Sequence, residues 1–146
     1  MQGAEKRFLK SKAFEKVYAV FDRDEHLSYA NAIAMAEARD GKLKNDEKEL
    51  VSFEAIASVP CFELWLLLHF NNIMAPIHRR QVLDRLREHL SGYQKGKNGV
   101  YAATLANLTV ATQRATSLKQ QSSRLPGTDA YTDVHELVDV LRKLKN

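Results

Sequence analysis

Asp22, Asp24, Glu25 and His26 stand together at the end of the apolar run Val17-Tyr18-Ala19-Val20-Phe21. In an extended strand, side chains two residues apart share a face, so Asp22 and Asp24 point the same way. Two carboxylates this close repel each other unless a cation sits between them or one takes up a proton. Mg²⁺ (or Mn²⁺) suits the place, because such ions are held by one or two carboxylates together with waters and substrate phosphates. His26, beside the acids, is positioned to donate a proton or to touch a phosphate. A solvated acidic turn, with Ser28 capping the next helix, reads the same spacing without chemistry.

A further acid, Glu63, lies in the segment "SVPCFELWLLLHF", Ser58 to Phe70. Pro60 is expected to open a helix there that is apolar on nearly every side and therefore buried. A buried carboxylate is costly unless paired or bound to a cation. In open parallel sheets ligands bind beyond the carboxyl ends of the strands, and Asp22, Asp24 and Glu63 can all converge there. Alternatively, Glu63 takes up free N–H groups at the helix start or pairs with an arginine. In the same segment His69 reads as a core or capping group, Trp65 and the leucines as core. Cys61, at a helix start where a thiol pKa can be depressed, reads as small filler.

Basic residues gather further along. Arg79, Arg80, Arg85 and Arg87 fall on one expected helix, with Lys95 and Lys97 just beyond. Such a run is ordinarily a solvated face; the sharper reading is a face that contacts nucleic-acid phosphates, with Arg79, Arg80, Lys95 and Lys97 as its candidates and Lys95 helping His26 to neutralise substrate. Two other motifs fail. "GYQKGKN" is one residue short of a P-loop, and Asn98 stands where a magnesium-binding Ser or Thr belongs. "HELVD", His135 to Asp139, carries an aspartate in place of the second histidine of a zinc-protease helix.

The elements that position these residues follow from periodicity. A short amphipathic helix over Glu5 to Lys16 precedes a strand ending at Asp22, whose unbroken apolar run predicts cover on both faces. An alanine-rich helix runs from a cap at Ser28 to a stop at Gly41, and Lys42 to Glu49 forms a charged loop, expected to be exposed and mobile. A second strand covers Leu50 to Ala57, which makes a right-handed βαβ unit with parallel strands. The rest is helical: His78 to Leu90, about Gly99 to Gln121, and a last helix capped by Thr132 and reaching Leu144, with a flexible link over Ser122 to Ala130. Two strands are too few for a complete α/β sheet, so either further strands come from misread segments or from another chain, or the chain is an incomplete domain.

At 146 residues with 45% hydrophobic content, the chain has the size of one folded domain, 1–73 forming the βαβα core and 74–146 the helical part. No apolar run is long enough to span a membrane, and no secretory signal is visible. A single cysteine excludes an internal disulfide and a cysteine-rich zinc site, and a cytoplasmic, reducing compartment is expected. The formal charge of +4 permits a polyanionic partner without demanding one.

Four blocks, "VFDRDEH", "PCFELWLLLHF", "GYQKG" and "TDVHELV", occur here in the order found in RloB-like proteins, which accompany bacterial restriction and phage-defence genes. The resemblance covers about Val17 to Val138. That family resembles the Toprim fold, a small α/β domain with a parallel sheet. The resemblance implies that Asp22 and Asp24 hold Mg²⁺, that the protein cuts RNA or DNA, and that it works beside an ATPase partner. Toprim domains also place a glutamate after an earlier strand, and here that strand is expected to be missing, since Met1 falls inside the helix that should follow it. Either the protein is then shortened and inactive, or Glu63 or Glu25 substitutes, or the chain binds without cutting. The sequence thus supports a metal-dependent nuclease with Asp22, Asp24, Glu63 and His26 as its site. The alternative is a non-catalytic, truncated module that docks on an ATPase partner or nucleic acid, through its helical half or as a homo-oligomer.

Overall fold

A computed structural model describes residues 2–23, 28–122 and 130–144. The protein is a mixed α/β chain with a helical C-terminal half. Its elements run α1 (Gln2–Ser11), β1 (Lys16–Asp22), α2 (Tyr29–Arg39), β2 (Ser52–Val59), α3 (Glu63–Leu68), α4 (Arg79–His89), α5 (Val100–Thr104), a 3₁₀ turn (Leu105–Asn107), α6 (Leu108–Gln121), β3 (Tyr131–Thr132) and α7 (Val134–Lys143). The strand order is β1-β2-β3, with β1 parallel to β2 and β3 antiparallel to it. No helix among the described residues is long and apolar enough to cross a membrane.

The chain forms two compact units. The first holds α1, β1 through Phe21, α2 and β2 through Ile56. Its core joins the buried Val51 and Phe53 to Val17 and Leu43, and the Phe21 and Tyr29 rings meet edge to face. Gly41, at φ +62°, lets the chain turn out of α2 so that its N–H donates to the Val51 carbonyl. Arg39 Nε donates to Glu5 Oε1 at 2.7 Å, tying α2 to α1. The charged loop after α2 is organised rather than loose: Asn45 is buried, and its Oδ1 accepts the N–H groups of Glu47 and Glu49. Strand β1 also differs from expectation. Only Ala19 is buried and Val20 is 53% exposed, because β1 is an edge strand with β2 as its one neighbour among the described residues. An open groove of about 500 Å³ lies between α1 and β1, lined by Arg7, Phe14, Val17 and Val20.

The second unit holds Asp22 and the chain from Ala57 onward. Its centre is α3, in which every residue is buried, packed against α4, α6 and β3. Pro60 does not open this helix, which begins three residues later at Glu63. The expected helix over Gly99 to Gln121 is broken into α5, the 3₁₀ turn and α6. Thr132, read as a helix cap, lies in β3 instead; Asp133 takes the cap position, and Thr132 Oγ1 still accepts the Val134 N–H at 3.3 Å. The sheet deficit is thus partly met by a two-residue strand too short to carry an alternating pattern. Thr132 and Ser58 share a buried hydroxyl bond of 2.7 Å, and the Asp133 backbone N–H donates to the Ala57 carbonyl at 2.9 Å. Asp133 Oδ2 accepts the Ala57 N–H at 3.2 Å, while Lys119 Nζ lies 2.6 Å from both Asp133 Oδ1 and Glu136 Oε1. The link expected over Ser122 to Ala130 lies, except for its two end residues, outside the described residues.

His69 is a core residue, as the sequence indicates. Its Nδ1–H donates to the Trp65 carbonyl at 3.0 Å, and its ring meets the Trp65 ring edge to face. Burial, assisted by the charge of Arg114, lowers its pKa from the ordinary value of about 6.5. The fold therefore favours the neutral ring. Stability is full above about pH 6.5 and declines as the pH falls through the lowered value, because the unfolded chain takes up the proton first. His69→Gln is expected to flatten this acid limb, read from urea midpoints between pH 7 and pH 5. His135 adds a second such contribution: burial lowers its pKa too, and its Nδ1–H donates to the Thr132 carbonyl.

Candidate functional site

The end of β1 is fixed by the backbone. The Arg23 N–H donates to the Ser58 carbonyl at 2.9 Å, which carries strand pairing one residue past Asp22. The Asp22 carboxylate then faces the turn that follows β2, where Oδ1 accepts the Phe62 N–H at 2.8 Å. Phe62 precedes the first residue of α3, so Asp22 satisfies one of the N–H groups that a helix start leaves open. The same bond holds the strand's acid at the residue before Glu63, and both carboxylates act on Cys61 and Tyr93.

Glu63 is 1% exposed. Its Oε1 accepts a hydrogen bond from Tyr93 Oη at 3.2 Å, and its Oε2 has no hydrogen-bond partner among the described residues. Among the described residues no arginine and no backbone N–H of its own helix is recorded against its carboxylate. Lys95 Nζ lies 3.8 Å from Asp22 Oδ2, with the lysine side chain 67% exposed and the aspartate 15%.

The negative charge of this pair is felt by its neighbours. Cys61 is pushed up to about 12 by burial, then by the charge and hydrogen bond of Glu63 and the charge of Asp22. The phenol of Tyr93 is pushed up to about 12 by burial, then by Glu63 and more weakly by Cys61 and Asp22. Both stay protonated at neutral pH. Cys61 is therefore no nucleophile, and the depressed pKa that its place near a helix start allows is not found. Tyr93 is a neutral hydrogen-bond donor.

Asp22 and Glu63 are thus brought to one place. Asp24, Glu25 and His26 lie outside the described residues. Arg79 and Arg80 are exposed at the start of α4, and Lys97 is exposed on the following loop, where its Nζ reaches the Gly92 carbonyl at 3.5 Å. Among the described residues no group of three or more His, Cys, Asp or Glu side chains is arranged to hold a metal. Two hard carboxylates, one with a buried oxygen lacking a partner, nevertheless fit a Mg²⁺ or Mn²⁺ ion, which fills its remaining positions with water and phosphate oxygens.

Sequence reasoning missed Tyr93. The signal was an aromatic residue inside the glycine-bracketed stretch "GYQKG", where attention to the glycines and lysines tests only for a phosphate loop. Its contact spans 30 residues, which no local spacing rule reaches. No curated protein and no solved structure matches the chain. A family model described as RloB-like protein matches residues 2–141, taking in the strand acids, the α3 glutamate and the tyrosine loop alike, and the chain belongs to the RloB-like family.

Proposed function

We propose that the protein is a divalent-metal-dependent phosphodiester hydrolase acting on RNA or DNA, built on a Toprim-like core and serving bacterial phage defence. The observation that carries this reading is Glu63, a carboxylate 1% exposed with one oxygen lacking a partner among the described residues, directly after Phe62, whose N–H the strand-end carboxylate of Asp22 accepts. A charge buried in this way is costly unless a cation meets it. A bound Mg²⁺ or Mn²⁺ supplies polarisation of a phosphate and a more acidic water. Asp22 and Glu63 would hold the ion, and Asp24, on the expected same face of the strand, would complete the set. Lys95 offsets phosphate charge at the mouth of the site, and His26 remains the candidate proton donor. The exposed Arg79, Arg80 and Lys97 supply backbone contacts to nucleic acid, a role for which four arginines on α4 provide the charge. An ATPase partner belongs to the same proposal.

The test is cleavage of labelled RNA, single-stranded DNA and duplex DNA with Mg²⁺ or Mn²⁺. Asp22→Asn, shown folded by circular dichroism, is expected to lose at least about 100-fold in rate. Wild-type rates in that variant overturn the assignment. A second reading, a binding module without chemistry, is favoured by the gathering of only two acids among the described residues. It predicts nucleic-acid binding that is unchanged by EDTA and by Asp22→Asn.

A further inference from the structure

The loop after α4 is exposed at every position from Ser91 to Asn98 except Tyr93, which is 6% exposed. It folds on itself: the Tyr93 N–H donates to the Leu90 carbonyl and the Lys97 N–H to the Gln94 carbonyl, with Gly92 at φ +68° and Gly96 at φ +82° making the turns. This tight loop sends two side chains, two residues apart, to the two acids of the site. Tyr93 Oη donates to Glu63 Oε1, and Lys95 Nζ approaches Asp22 Oδ2.

We propose that this loop is a two-point clamp: Tyr93 is a positioning residue that occupies one oxygen of Glu63 and leaves the other presented to a divalent cation, and Lys95 is a resident counter-cation of Asp22 that yields to that ion and passes to the substrate phosphate. The inference rests on the metal-site reading above and deepens it.

The two contacts differ in character, and the difference assigns the roles. A buried donor on one carboxylate oxygen fixes the direction of the other, as the partners behind metal ligands commonly do. The lysine contact is long and largely exposed, so it is weak and easily exchanged. A lysine is a point charge on a four-carbon stem and can swing without backbone movement. A dication at Asp22 repels the ammonium, while a phosphate ester brought to the ion attracts it. Lys95 thus opposes metal binding and favours substrate binding, which gives its removal two effects of opposite sign.

The experiment is calorimetric titration with Mn²⁺ of the wild type, Lys95→Gln, Lys95→Arg and Tyr93→Phe, with fluorescence anisotropy of a labelled single-stranded DNA measured in the presence of Mn²⁺. Lys95→Gln is expected to bind Mn²⁺ about three- to tenfold more tightly and the DNA more weakly, and Lys95→Arg to restore both. Tyr93→Phe keeps the ring but strips the buried Glu63 of its donor, so it is expected to lower the metal-free thermal midpoint by a few degrees and, titrated well below that midpoint where the variant is folded, to lose about tenfold in Mn²⁺ affinity. Mn²⁺ affinity that is unchanged or weaker in Lys95→Gln overturns the role of the lysine. Unchanged affinity in Tyr93→Phe overturns that of the tyrosine. A wild type that binds no Mn²⁺ overturns the underlying metal site itself.

Discussion

Glu63→Gln is expected to make the metal-free protein more stable and to abolish the stabilisation that Mn²⁺ gives the wild type. The glutamine keeps an oxygen to accept the Tyr93 hydroxyl, so packing and that bond survive, while the buried carboxylate is replaced by a neutral amide. Relieving a buried, incompletely paired carboxylate is worth about 1 kcal/mol here, a rise of a few degrees in a chain of this length. Mn²⁺ at about 100 times its Kd adds about 2.7 kcal/mol to a protein that binds it only when folded. Scanning calorimetry with EDTA and with Mn²⁺ reads both effects. The wild type rises with metal, and the variant starts higher and does not move. The Tyr93 phenol, pushed up to about 12 partly by Glu63, is expected to titrate lower in the variant. A variant that is less stable than the wild type in EDTA, or that still responds to Mn²⁺, would show that Glu63 is a structural acid.

The second large effect lies away from this site. Asp133 is 7% exposed and does three jobs: its backbone N–H extends the β3 pairing to Ala57, one carboxylate oxygen accepts the Ala57 N–H, and the other faces Lys119 at 2.6 Å. Burial pulls the Lys119 pKa down, but its hydrogen bonds to Asp133 and Glu136 and their charges outweigh this and leave it raised, so the ammonium is retained. Asp133→Ala strands that ammonium and leaves the Ala57 N–H unsatisfied. A loss of about 3 kcal/mol is expected from urea denaturation, the usual scale for breaking one side of a buried pair. Adding Lys119→Met should recover part of it, because the stranded charge is gone. A loss below about 1 kcal/mol would mean that Glu136 alone satisfies the lysine.

The two effects mark what was legible in the sequence. The strand ending at Asp22, the buried helix after Pro60 and the core place of His69 could all be read, because each is announced by a run of local residue types. Glu63 was singled out for the same reason, an acid in an apolar stretch. Strand β3 was not legible, since two residues carry no period and its hold on β2 comes from Asp133, 76 residues away from Ala57. The Tyr93 contact failed to show for the same cause. Burial of β1 was overestimated because an apolar run records what a strand can bury, not how many neighbours it has.

That strand has a practical corollary. Among the described residues β1 has one strand neighbour, and such an edge presents a row of outward N–H and C=O groups, accompanied here by Val20 and Phe14, each about half exposed. Such a rail is the natural place for copies of the chain to stick to one another during purification. Lys16, exposed at the head of the strand, carries the same charge in every copy and opposes that contact. Repulsion of this kind fades as the Debye length shrinks, so added salt, rather than added protein alone, sets the concentration at which the preparation stays dispersed.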